Sequence, residues 1–150
     1  MRHLPGTPTS KPLNYLLLYL SLTMHKIFII EKDRYTSEVL AESILSLNYE
    51  PVIFNYDQSI ADALTAVDPY IVIINLQIYK SNRELFISLM APKKKLLDAC
   101  LILTSANLVD PESIREYGAD FFLFKPYGLA DLKSVLQRVE STKCHSSSVK

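Results

Sequence analysis

Asp68-Pro69-Tyr70-Ile71-Val72-Ile73-Ile74-Asn75 decides the fold. Four consecutive β-branched apolar residues leave no polar face, so the run reads as a strand covered on both sides. Pro69 opens it and Asn75 closes it. A strand buried on both faces belongs in a parallel sheet, and its C-terminal end lies at the edge where such sheets bind ligands. Asn75 stands at that end.

Outward from this strand, the pattern alternates from residue 24 onward. Residues 26–30, 51–55, 100–103 and 120–124 are further short apolar runs and are predicted strands. Residues 34–47 predict a helix, with Tyr35, Val39, Leu40, Ile44 and Leu47 near a 3.6 period and Asp33 placed to cap it. Asp57 opens the next, which carries Ile60, Ala61, Leu64 and Val67. A third covers 82–90 before Pro92, and Asp110-Pro111-Glu112 starts a short one that Gly118 closes. The last covers 129–139, with Leu132, Val135, Leu136 and Val139 on one face. Five strands each followed by a helix predict an α/β fold: a doubly wound, five-stranded parallel sheet with helices on both faces. Right-handed crossovers leave few strand orders open, and the known flavodoxin-like order 2-1-3-4-5 is the one expected.

Composition agrees with a single globular domain. The chain has 150 residues, of which 49% are hydrophobic and 21% charged, which suffices for a real core and is unlike a disordered chain. The formal net charge is zero but unevenly spread. Two of the sixteen basic side chains precede residue 24, two follow residue 140, and none of the sixteen acids does either. The body is therefore mildly acidic, which argues against a nucleic-acid surface. The one basic cluster, Lys93-Lys94-Lys95, reads as a solvated loop. Cys100 in an apolar run and Cys144 in a polar one form no disulfide framework, so a reduced, cytoplasmic setting is expected. Three glycines cannot write a phosphate-cradling loop, and the three histidines have no metal or triad spacing.

The ends are set apart from the domain, which is placed at 24–140. Residues 1–23 are expected to be a leader, disordered or read from an upstream start, with a docked helix as the other reading. Their apolar part, 13–22, is half the length that spans a bilayer, and no small-residue cleavage site comes after it to make it a secretory signal. No membrane contact is expected. Residues 141–150 are expected to be a disordered polar tail.

The strand ends bring together Glu31-Lys32-Asp33, Asn75, Thr104-Ser105 and Lys125-Pro126. With the stretches Ile27-Phe28-Ile29-Ile30-Glu31, Leu103-Thr104-Ser105 and Gly118-Ala119-Asp120-Phe121-Phe122-Leu123-Phe124-Lys125-Pro126, this set resembles the response-regulator receiver domains of two-component signalling. The resemblance covers roughly 24–140. It implies a phosphate and metal pocket at the strand ends. In that family an aspartate ending strand three takes a phosphoryl group, two acids after strand one hold Mg²⁺, and a Thr or Ser and a Lys bind the phosphoryl oxygens. Thr104 and Lys125 match, and Glu31 matches the first acid in charge. Lys32 stands where the second acid belongs, and Asn75 where the nucleophile belongs. The loop after Asn75 departs as well, with Tyr79 and Arg83 in place of the usual Pro and Gly.

These departures imply a receiver without its chemistry. An amide is no nucleophile, so no acyl phosphate is expected at Asn75. Lys32 would repel a divalent ion by about 8 kcal/mol at ~4 Å and an effective dielectric near 20, so no cofactor is expected and Mg²⁺ binding should be impaired. The plain structural readings are that Asn75 caps or ties down the loop after it, that Lys32 pairs with Glu31 or reaches solvent, and that Asp33 caps a helix. The resemblance also implies a cis Lys125–Pro126 bond. The expected function is a pseudo-receiver of a phosphorelay: no enzyme, acting by contact with a histidine kinase, another regulator or an output protein. The expected contact face holds Tyr117, Phe122, Phe124 and Tyr127, with Phe122 at the family's aromatic switch position. The alternative is a small-molecule or anion sensor that uses the crevice of Asn75, Thr104 and Lys125.

Overall fold

Ile71–Asn75 becomes β3, the centre of a five-stranded sheet, because its neighbours can cover it on both sides. The structure, a computed structural model, describes residues 14–16, 18, 24–90 and 98–149. β1 (Lys26–Ile30) lies on one side of β3 and β4 (Cys100–Ser105) on the other. β2 (Glu50–Ile53) pairs with β1, and β5 (Phe121–Phe124) with β4. All pairs are parallel and the order is 2-1-3-4-5, as the sequence predicts.

The two faces build two cores. Ile27, Ile29, Ile71, Ile73 and Ile102 meet Leu40 and Ile44 of α1 (Arg34–Ser46) and the stripe Leu132, Val135, Leu136 and Val139 of α6 (Leu129–Val149). Phe28, Ile30, Val72, Ile74 and Leu103 meet Leu64 of α2 (Ile60–Val67), Leu76 and Tyr79 of α3 (Leu76–Ser81), and Phe86 of α4 (Arg83–Leu89). α5 (Pro111–Tyr117) is capped by Asp110 and closed by Gly118 at φ 70°, a left-handed turn that glycine takes without strain.

Four local expectations need correction. Tyr35 and Val39 are 75% and 44% exposed, not core. The buried stripe of α1 is Ser37, Leu40 and Ile44, since the Ser37 hydroxyl fits under the strand end, where it bonds the Glu31 and Asp33 carbonyls. The chain after Asn75 is not a loop: α3 starts at once, with the Asn75 side chain as its cap. α2 starts at Ile60 under a Ser59 cap, because Asn55 holds the Asp57 N–H in a turn ahead of it. α6 continues helical to Val149, through the segment read as a tail, since neither Pro nor Gly occurs after Gly128 to stop it. Of the leader, residues 14–16 and 18 are helical and exposed; the rest of 1–23, and Lys93-Lys94-Lys95, lie outside the described residues.

At the opposite end of the sheet from Asn75, Glu140 of α6 accepts hydrogen bonds from the Tyr49 hydroxyl (2.7 Å) and the Tyr70 hydroxyl (3.1 Å). This ties the last helix to the starts of β2 and β3. Burial, then the Glu140 bond and its charge, push the Tyr49 hydroxyl well above the ordinary tyrosine range.

Candidate functional site

The C-terminal ends of β1, β3, β4 and β5 converge, and each delivers a polar side chain. Glu31 follows β1. Its Oε1 lies 2.8 Å from Lys125 Nζ, and its Oε2 accepts the Asp33 N–H at 3.1 Å. Lys125 is set by the strand extension: its N–H donates to the Ser105 carbonyl at 2.8 Å, and the Lys125–Pro126 bond is cis. The pair is poorly hydrated, with the Glu31 side chain 10% exposed and Lys125 27%.

Asp33 does not join this pair as an open ligand. Its carboxylate accepts the Thr36 N–H at 2.9 Å and the Thr36 hydroxyl, and these bonds lower its pKa. Lys32, between the two acids in sequence, is exposed and makes no ion pair among the described residues. Glu31 thus pairs with Lys125 and not with its neighbour Lys32. The charge of Glu31 also reaches the flanking tyrosines. Tyr56 and Tyr127 are raised by burial first and by Glu31 second.

Asn75 accepts the Gln77 N–H on Oδ1 at 2.9 Å, the bond of a helix cap. That bond leaves Nδ2 as its remaining donor. Thr104 faces Asn75 in the β3–β4 register and is buried. Ser105 is buried too, its hydroxyl bonded to both the carbonyl and the N–H of Asn107. Glu31, Asn75, Thr104 and Lys125 therefore share one sheet end. The donor set suits a hard divalent cation poorly: one carboxylate holds a lysine, the other caps a helix, and a lysine stands between them. Among the described residues no three His, Cys, Asp or Glu side chains are grouped to hold a metal.

The aromatic residues form a chain of ring contacts behind this site. Phe86 meets Tyr79 at 5.5 Å, Tyr79 meets Tyr117 edge-on at 6.3 Å, Tyr117 meets Phe122 at 6.2 Å, and Phe122 stacks on Phe124 at 5.7 Å. Tyr117 is more constrained than its place at a helix end suggests. Its carbonyl accepts the Tyr79 hydroxyl, Lys80 lies 5.6 Å over its ring, and it packs on the core. Tyr127 is half-buried against the other core. Phe124 alone of the four is in neither core packing. Sequence reasoning missed Tyr79 as a contributor. It is buried with Leu76, Phe86 and Leu89, but it lies in a helix of six residues, too short to show a period.

No family model matches the chain, and no curated protein does. Solved structures do. The N-terminal domain of a lantibiotic response regulator, the nisin resistance regulator, is 21% identical with a TM-score of 0.64, over 77% of this chain and 97% of that one. A response regulator from Thermotoga maritima is 16% identical with a TM-score of 0.65, over 79% and 98%. The receiver domain of a sensor histidine kinase from Pseudomonas aeruginosa, solved with magnesium coordinated in its active-site cleft, is 18% identical with a TM-score of 0.60, over 77% and 97%. These likenesses show the fold, which is that of CheY-like receiver domains.

Proposed function

We propose that the chain is a degenerate receiver, a signalling domain that acts by protein contact without aspartyl phosphorylation. Asn75 carries this reading. It is an amide at the position from which the receiver fold presents its nucleophile, and its carbonyl oxygen is already engaged by the helix it caps. An amide forms no acyl phosphate. The surroundings support the same reading, because the Glu31 carboxylate is held by Lys125 and Lys32 replaces a metal ligand with a cation. Mg²⁺ affinity should be poor, and neither enzymatic turnover nor a cofactor is assigned. An anion held by Asn75, Thr104 and Lys125 would have to share the Lys125 ammonium with the Glu31 carboxylate and lie close to its negative charge, which weighs against the sensor alternative in that form.

Partners of this class would be a histidine kinase, another regulator or an output protein, met in the cytoplasm. Among the described residues no helix is long and apolar enough to cross a membrane. We place the contact on the outer strand, where Phe124 stacks on Phe122 at a sheet edge. A second face has the greater apolar exposure: Tyr35 and Val39 of α1 and Leu129 of α6 line a cavity of about 540 Å³ beside Pro126. Capture of a native partner from lysate separates the two. Phe124→Ala should abolish capture with its melt unchanged. Loss only with Tyr35→Ala and Leu129→Ala moves the contact to α1. Loss only with Thr104→Ala would contradict the contact reading and favour the crevice.

A further inference from the structure

A hollow opens beside the converged strand ends and shares Glu31, Asp33 and Asn75 with them. A cleft of about 1000 Å³ opens between the β1–α1 turn, the start of α2, and helices α3 and α4. Its size falls at the upper end of the range for small-molecule sites, about 300–1,000 Å³. Thr104 and Lys125 do not line it. Phe54, which is buried, and Tyr56, edge-on to it at 4.5 Å, give one wall an aromatic surface. Ile60, Ile78 and Leu85, each half-buried, complete an apolar interior.

Three charged residues line its mouth, and two are engaged. Glu31 holds Lys125 and the Asp33 N–H, and Asp33 holds Thr36. Lys32 makes no ion pair among the described residues. Asn75 lines the same cleft; its Oδ1 accepts the Gln77 N–H and its Nδ2 is a donor. A lysine ammonium and an amide N–H₂ at the rim of an apolar hollow match a carboxylate joined to an apolar body.

We propose that this cleft binds a small organic monoanion: a carboxylic acid with a flat apolar body, its carboxylate at Lys32 and Asn75 and its body against Phe54, Tyr56, Ile60 and Ile78. The departures that remove phosphoryl chemistry then have a use, since Lys32 and Asn75 supply the donors that two acids would not. The inference goes beyond the contact role and does not depend on it.

The test uses the full chain, ¹⁵N-labelled, with three probes. These are 2-naphthoate, the uncharged 2-naphthamide with the same body, and inorganic phosphate with the charge and no body. Naphthoate should shift the amides of Tyr56, Ile60, Ile78 and Leu85 and saturate, naphthamide should bind about fivefold or more weakly, and phosphate should leave those amides unmoved. Lys32→Gln, at an exposed position, should lower naphthoate affinity to that of naphthamide and leave naphthamide unchanged. Ser81→Phe, which fills the cleft from its exposed rim, should weaken both. No saturating shift by about 1 mM naphthoate would overturn the proposal. So would shifts centred on Pro126 and Leu129, equal naphthoate affinity in Lys32→Gln, or equal binding of phosphate.

Discussion

Lys125 Nζ lies 2.8 Å from Glu31 Oε1, across 94 positions of sequence and from opposite sides of β3. Each is the other's partner, and the pair ties the ends of β1 and β5 together.

The pair should therefore matter to stability. Lys125→Met leaves a carboxylate that is 10% exposed without its cation, and should cost about 1–3 kcal/mol, less than a fully buried pair because water reaches the lysine side. Glu31→Gln with Lys125→Met should recover part of that loss, because the pair goes together. Urea melts of the single and double variants check both; simple additivity would refute the coupling.

Stability should fall at alkaline pH through Tyr49. Its folded pKa is raised above the ordinary 10.0 by burial and then by Glu140, so the folded state keeps a proton that the unfolded state loses. The contribution is fully present below pH 10 and declines as pH rises above it. Tyr49→Phe removes the titrating group and should show a shallower loss of stability between pH 10 and 11 in urea melts. Equal slopes would contradict the raised pKa.

Restoring the nucleophile alone should not restore the metal site. Asn75→Asp keeps a good helix cap, so its melt should match the parent, whereas Asn75→Ala should lose about 1 kcal/mol. Mg²⁺ affinity should rise measurably only when Lys32→Asp accompanies Asn75→Asp. Matching Mg²⁺ titrations for the single and double variants would refute the role given to Lys32.

A chain cut to begin at Met24 should keep a cooperative melt within a few degrees of the parent, because β1 starts at Lys26 and, among the described residues, both cores are built from residues beyond it. Aggregation or a far lower melt would make residues 13–22 a docked element.

Much of this was legible beforehand, for identifiable reasons. Glu31, Asn75, Thr104 and Lys125 could be placed because each marks the change from an apolar strand to polar chain, and parallel strands put all such ends at one edge. The Glu31–Lys125 pair could not be read. Lys32 is its neighbour in sequence, and only the crossovers bring Lys125 nearer. Helix α3 was missed because six residues are too few to show a period, and Asn75 serves as strand end and helix cap together. Tyr35 was misplaced because a periodic aromatic looks like core, while the buried position went to Ser37, which satisfies two carbonyls there. Tyr117 and Tyr127 are expected on the contact face. The structure packs both, leaving Phe124 as the better probe of that face.

The central claim is that this receiver fold carries no phosphoryl chemistry, and intact mass after incubation with acetyl phosphate and Mg²⁺ tests it most directly. The account predicts an unchanged mass for the parent chain. A gain of one phosphate that hydroxylamine removes would be an acyl phosphate on Glu31, Asp33 or another acid, and would contradict it.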